Sequence, residues 1–262
     1  MRYIFDNDLH LHSYISACSS DPEQTTELIL EYAKKYSLKK VCLTDHYWDS
    51  AVEGPSDWYK PQNFERVIKS KPLPTAEGID FMFGVETDMD KFMRIGIPNE
   101  RFKDFDFVVI PTTHFHMPGF TVWENITTKE RARMWSAKLN ALFNMDLPFK
   151  KIGIAHLACE LIAPTRQEFD EVLSLIPDSD FERVFCKAAA LGVGIELNQC
   201  DMEYLPKSQD TYRMFMCAKK CGCKFYMASD SHHPKDFENT KAIFEKAIDI
   251  LELKEEDKFH IG

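Results

Sequence analysis

Six of the nine histidines, His10, His12, His46, His114, His156 and His232, fall within a few residues of the end of a short apolar or β-branched run. Asp45, Glu86 and Asp230 share that location. Imidazole nitrogens and carboxylate oxygens are the donors of transition-metal sites. His10-Leu11-His12 puts two imidazoles on one side of an extended chain, because strand side chains alternate with period two. Asp230-Ser231-His232 repeats that spacing with a carboxylate and an imidazole. Each residue taken singly has an ordinary reading: a surface pair, a core histidine, a capping acid. Their shared position after different runs is what points to a metal cluster, in which Glu86, with two oxygens, is suited to bridge ions. His116 competes with His114, which is preferred, and His233 and His260 are read as surface residues.

Positioning these groups requires strands whose ends meet. Seven strand candidates are present: Tyr3–Leu9, Lys39–Thr44, Asp80–Glu86, Phe105–Pro111, Lys151–Ala155, Gly194–Leu197 and Lys224–Ala228. Helical patterns fill gaps between them at Thr25–Tyr36, Lys129–Asn144, Asp178–Leu191, Gln209–Cys221 and Asp236–Leu251. Thr25 or Thr26 can cap the first helix, Asp178 can cap the helix after Pro177, and Gly192 is placed to end that helix. The alternation implies parallel strands with helical crossovers, and a length of 262 residues is close to that of an α/β barrel. Two stretches without clear periodicity, Tyr47–Pro74 and Thr113–Thr128, directly follow strand candidates, where barrel enzymes carry their active-site loops. With no repeat, low-complexity segment or linker, residues 1–262 read as a single domain.

Composition narrows the classes. Thirty-two basic against 42 acidic residues leave a net charge of −10, which argues against a long nucleic-acid duplex as partner. No apolar run approaches the roughly 18–20 residues of a membrane span, and the first residues turn acidic and His-rich where a signal peptide would be apolar; a cytoplasmic location is the default. The eight cysteines show no disulfide framework and read as mostly reduced, buried hydrophobes. Oligomeric state is left open.

The order of these motifs, HxH near the start, Thr44-Asp45-His46, Glu86, single histidines at His114 and His156, then Ser229-Asp230-Ser231-His232, resembles the PHP (polymerase and histidinol phosphatase) superfamily from Asp8 to His232. The resemblance implies a distorted (β/α)7 barrel with two or three divalent transition metals, Zn, Mn or Fe, at the strand C-terminal face, hydrolysing phosphate esters. It implies a first metal on His10, His12, Glu86 and Asp230, a second on Glu86, His114 and His156, and a third on His46 and His232. In many relatives a His or Asp near position 18 completes the third site; here that position is Cys18, with Asp21 the nearest carboxylate and, as the harder donor, the preferred candidate. Glu196 and Asn198 match a stretch beneath the site and are expected to orient metal-bound imidazoles.

The expected reaction is hydrolysis of a small phosphate monoester of the histidinol-phosphate type, with a hydroxide bridging the first two metals as nucleophile. Asp45 or His232 would protonate the leaving oxygen, although Asp45 is better placed to orient His46. Arg94, Arg101, Arg131 and Arg166 are candidate phosphate contacts. Tyr47, Trp48, Trp58, Tyr59 and Phe64, with Phe115, Phe120 and Trp123, are candidate pocket walls or a local rim cluster. Alternatives are a nucleotide or oligonucleotide phosphoesterase of the same superfamily, a PHP module that binds metal without catalysis, and a redox or zinc site at Cys217-x3-Cys221-x-Cys223.

Overall fold

The computed structural model describes residues 1–262, and its centre is a ring of seven parallel strands in sequence order: β1 (Asn7–Leu11), β2 (Lys40–Leu43), β3 (Asp80–Glu86), β4 (Phe107–Pro111), β5 (Ile152–Ala155), β6 (Gly194–Asn198) and β7 (Lys224–Ala228). The ring is nearly closed. Between β1 and β7 side chains replace a regular ladder: Met227 N–H donates to Asn7 Oδ1 (3.1 Å) and Ser229 N–H to Asp8 Oδ1 (3.0 Å). Backbone bonds from Asp230 N to the His10 carbonyl (2.8 Å) and from His12 N to the Ser231 carbonyl (3.1 Å) then seal the rim.

The expected (β/α)7 barrel is therefore present, with helices α1 (Thr26–Tyr36), α2 (Phe64–Val67), α3 (Thr128–Leu142), α4 (Arg166–Ser174), α5 (Asp178–Leu191), α6 (Gln199–Tyr204), α7 (Gln209–Lys220) and α8 (Thr240–Ile250) in its crossovers and loops. Alternation along the strands divides the apolar residues. Phe83, Val85, Ile195, Leu197, Phe225 and Met227 join a core of 60 buried residues shared with the helices. Leu9, Cys42, Met82, Phe107, Val109, Tyr226 and Phe259 belong to a separate cluster of nine that fills the barrel interior below the site. A register shift in β1 between Asp8 and Leu11 lets two successive residues, Leu9 and His10, belong to the interior. Gly153 on β5 leaves the room that interior needs, since a Cβ there would collide with the Tyr226 hydroxyl and the Phe107 ring.

Two element starts and one cap differ most from expectation. β1 starts at Asn7, not Tyr3, because Tyr3 N–H pairs with the Leu253 carbonyl (3.0 Å) and Phe5 packs on Phe244. α5 is capped by Pro177 without a side-chain bond; Asp178 is its first residue and pairs with Arg213 (2.5 Å). α8 starts at Thr240 because Pro234–Phe237 forms a short 3-10 turn, in which the Asp236 carboxylate accepts from the amides of His232 and His233 (both 2.9 Å). Gly192 does end α5 in the left-handed region, φ 72°.

Candidate metal centre

The upper ends of six of the seven strands deliver donors to one buried pit, and β6 supplies outer partners to them. Glu86, last residue of β3, is 1 % exposed, and neither carboxylate oxygen accepts a regular hydrogen bond. Its Oε2 instead lies 3.0 Å from His46 Nδ1 and 3.4 Å from the Nε2 atoms of His10 and His12, while Oε1 lies 3.3 Å from His156 Nε2 and 3.9 Å from His114 Nε2. Asp230 repeats the pattern, with Oδ1 at 3.1 Å from His12 Nε2 and 3.4 Å from His10 Nε2, and Oδ2 at 3.5 Å from His156 Nε2. His156 and Asp230 both sit in the left-handed region, φ 60° and 52°, which costs about 1–3 kcal/mol per non-glycine residue. The backbone there bends each donor over the barrel mouth.

The donors form four overlapping groups, each with its ligand atoms within 4.8 Å of one another: His10 with His12 and Glu86; Glu86 with His114 and His156; His10 with His156 and Asp230; and His12 with Cys18, His46 and His232. Glu86 is shared by two groups, as a bridging carboxylate requires. Divalent cations fit this set on the structure's own terms. The Nε2 atoms of His10 and His12 stand 3.2 Å apart, and Glu86 presents two dry, unbonded oxygens between the rings. Such a carboxylate without a cation is strongly disfavoured.

The imidazoles and carboxylates of the pit shift one another's pKa values. Burial opposes charging of His10, but Glu196, Glu86 and Asp230 outweigh it and raise its pKa to about 9. His46 is likewise raised against burial, to about 10, by Glu86 and Cys18. Reciprocally, and again against burial, His46 and His10 hold the Glu86 carboxyl well below its usual range, and His10, His156 and His232 do the same for Asp230.

Outer partners fix the rings. His10 Nδ1–H donates to Glu196 Oε2 (2.8 Å), which leaves Nε2 for a metal; Tyr226 O–H also donates to that oxygen (3.0 Å). Asn198 Nδ2 donates to Glu196 Oε1 (3.0 Å) and lies 3.4 Å from both His156 Nδ1 and Asp230 Oδ2. Two further partners are Asp88, not singled out from the sequence, and Tyr59, which the sequence offers only as a pocket wall. Asp88 Oδ2 accepts from His114 Nδ1 (3.1 Å) and from the Tyr59 hydroxyl (2.6 Å), whose oxygen is 3.0 Å from His46 Nδ1. Glu86-Thr87-Asp88 has the period-two spacing of His10-x-His12, and that was the available signal.

Several expected roles are corrected. Cys18, not Asp21, reaches the group of His46 and His232, because Asp21 turns back to accept from Glu23 N–H (2.9 Å) and faces His233 (3.6 Å). Asp45 neither faces the pocket nor touches His46; it is buried, accepting from the Ser13 amide and hydroxyl, both at 2.7 Å. It is unavailable as a proton donor to substrate. His114 joins Glu86, whereas His116 stands at the cavity wall, where burial and the neighbouring His114 lower its pKa to about 4.

Above the donors lies a cavity of about 520 Å³, walled by Trp58, Met117, Pro118, Phe120 and Leu161. Trp58 meets the His46 ring edge-on at 4.8 Å. Trp48 is buried behind it against Tyr59 and Phe120, and Trp123 meets Phe92 edge-on outside the cavity. None of the four candidate arginines lines it: Arg94 pairs with Asp90 (2.8 Å), Arg101 with Asp49 (2.9 Å), Arg131 donates to the Ile162 carbonyl (2.8 Å), and Arg166 stacks on Tyr204. No lysine lines it either, so positive charge toward an anionic ligand must come from bound cations or histidinium. Of the cysteine motif, Cys221 Sγ meets Cys186 (2.8 Å) and Cys223 Sγ donates to the buried Phe185 carbonyl (3.2 Å), so the three do not converge.

A parallel barrel whose strand ends converge on a buried imidazole–carboxylate cluster is an architecture consistent with a multi-metal site. The chain belongs to the PHP domain family, whose model matches residues 8–258, and this fold is typical of metal-dependent phosphoesterases. Among solved structures it is similar to the histidinol phosphate phosphatase of Lactococcus lactis subsp. lactis Il1403, complexed with zinc, L-histidinol and phosphate, with a TM-score of 0.58, 18 % identity and 94 % of each chain covered. No curated protein matches it in sequence. No helix is long and apolar enough to cross a membrane.

Proposed function

We propose that the protein hydrolyses a small phosphate monoester of the histidinol-phosphate type. The observation that carries this reading is Glu86: a fully buried carboxylate whose two oxygens face separate sets of imidazoles. His10, His12, Glu86, His114, His156 and Asp230 would hold divalent cations, which when bound supply an activated water and neutralise the phosphate dianion.

The chain's own groups do the rest. Glu196 and Asp88 hold the His10 and His114 rings with their Nδ1–H groups engaged, so that Nε2 faces the pit. The apolar wall of Trp58, Met117, Phe120 and Leu161 excludes water around the leaving group and suits a flat ring such as imidazole. His116, with its low pKa, is neutral at pH 7 and offers the substrate a hydrogen bond rather than a charge. The absence of Lys and Arg from the wall fits a small substrate gripped through its phosphate, not a polyanion held along its backbone.

The test is turnover by the Zn- or Mn-loaded protein on L-histidinol phosphate, nucleoside monophosphates and a short oligonucleotide. A kcat/KM on histidinol phosphate at least tenfold above the others supports the reading. Preference for a nucleotide substrate replaces it with the nucleotide alternative, and bound metal with no turnover on any phosphoester replaces it with a non-catalytic module.

A further inference from the structure

One of the four donor groups differs in kind from the rest. It contains no carboxylate: its donors are His12, Cys18, His46 and His232, all within 4.8 Å of one another. We propose that Cys18, His46 and His232, beside the His12 ring, form a thiolate-bearing site that holds a borderline-soft divalent ion, Zn2+ in preference to Mn2+, next to the imidazole–carboxylate sites of Glu86 and Asp230. The inference rests on the phosphoesterase reading only for what the ion does to substrate, not for its binding.

The sulfur is held in place by its loop. Cys18 Sγ is 3.2 Å from Ser16 Oγ, which also accepts the His46 amide (3.2 Å). Ala17 N–H donates to Gln62 Oε1 (2.9 Å), and Ser19 Oγ–H to the His232 carbonyl (2.6 Å), tying the loop directly to the strand end that carries another donor. A tetrahedral ion with Zn–S near 2.3 Å and Zn–N near 2.0–2.1 Å needs donor separations of about 3.3–3.6 Å, and the donors here lie within 4.8 Å of one another. The half-buried sulfur lies with the His12, His46 and His232 nitrogens as a mixed thiolate–imidazole donor set of the kind that holds zinc.

Two consequences follow from sulfur in this place. Thiolate selects Zn-like ions over Mn2+, which prefers oxygen, so one pocket would hold ions in two unlike donor sets. A single thiolate also neutralises only half of a divalent charge, leaving a net positive centre on a cavity wall that Cys18 and His232 themselves line. That centre supplies the charge which Lys and Arg do not.

The experiment loads the intact protein with Co2+ and records its near-ultraviolet absorption, where thiolate-to-cobalt charge transfer appears. The wild type is expected to show this band. Cys18→Ser should lose it and bind one metal ion fewer per chain, while Cys159→Ser, which removes the thiol beside His156, should keep it. Absence of the band in cobalt-loaded wild type, or its survival in Cys18→Ser, overturns the proposal. Should Cys18→Ser fail to fold, alkylation of the wild type decides: Zn2+ is expected to slow iodoacetamide labelling of Cys18 at least tenfold by peptide mass, and equal rates overturn it. Neither readout depends on turnover, so failure of the phosphoesterase reading leaves this result standing and is distinguishable from it.

Discussion

Glu86 shows how a single side chain sets the requirements of its surroundings. A buried carboxylate costs several kcal/mol unless cations or donors compensate it, and here imidazoles compensate on both oxygens. The histidines were legible because metal donors recur at short, alternating spacings at strand ends. The roles of Asp88 and Tyr59 were less so, because they act through His114 and His46 rather than on a metal, and only the spacing of Asp88 from Glu86 hints at such a partner. Glu196→Gln and Asp88→Asn should each lower metal affinity roughly 10–100-fold while leaving the barrel folded, measured by competition with a chromophoric chelator. A second expectation concerns protons. In the metal-free protein His10 and His46 have pKa values raised to about 9 and 10 above an unfolded value of 6.5. Their pairing with carboxylates therefore stabilises the fold fully below pH 6.5 and is lost as pH rises through 9–10. Metal competes with those protons, so loading at pH 7 should release them and loading at pH 10 should release few. Calorimetry in buffers of different ionisation enthalpy measures the count, and no release at pH 7 would contradict it.

At the scale of elements, strand alternation rather than helix propensity places the site. On β3, Met82 fills the interior, Gly84 makes room for the Phe107 carbonyl and Cys42, and Glu86 reaches the pit, all on one face. All seven strands could be read as apolar runs, and the long helices as amphipathic ones, since both are stabilised by burial visible in the pattern. Short elements could not: α2 and α6 have four and six residues, too few to display a period, and β1 breaks its own alternation at the register shift. α4 carried a readable start, Thr165-x-x-Glu168, with the Glu168 amide bonded to Thr165 Oγ1 at 3.3 Å. The interior packing couples to the chemistry above it. Gly153→Ala would force Tyr226 away from Glu196, and Glu196 from His10. Overpacking of this kind costs about 1–3 kcal/mol. Denaturant unfolding should show that loss, accompanied by weaker metal binding although no ligand has changed.

For the whole molecule, metal and fold are expected to be linked. Ions that bind only the folded chain stabilise it by about 4 kcal/mol when free metal exceeds Kd a thousandfold. A chain of this size should then melt roughly 10 °C lower after chelation, as differential scanning calorimetry would detect, and restoring Zn2+ should restore the midpoint. The closure of the barrel bears on when that stabilisation becomes available. His10 and His12 come from the first strand, Asp230 and His232 from just beyond the last, and β1 meets β7 through Asn7, Asp8 and the rim backbone. Two of the four donor groups need a residue from each end. During synthesis these groups stay incomplete until His232 has left the ribosome, so the choice of metal there falls to the closed barrel and to the ions around it at that moment, not to the emerging first strand.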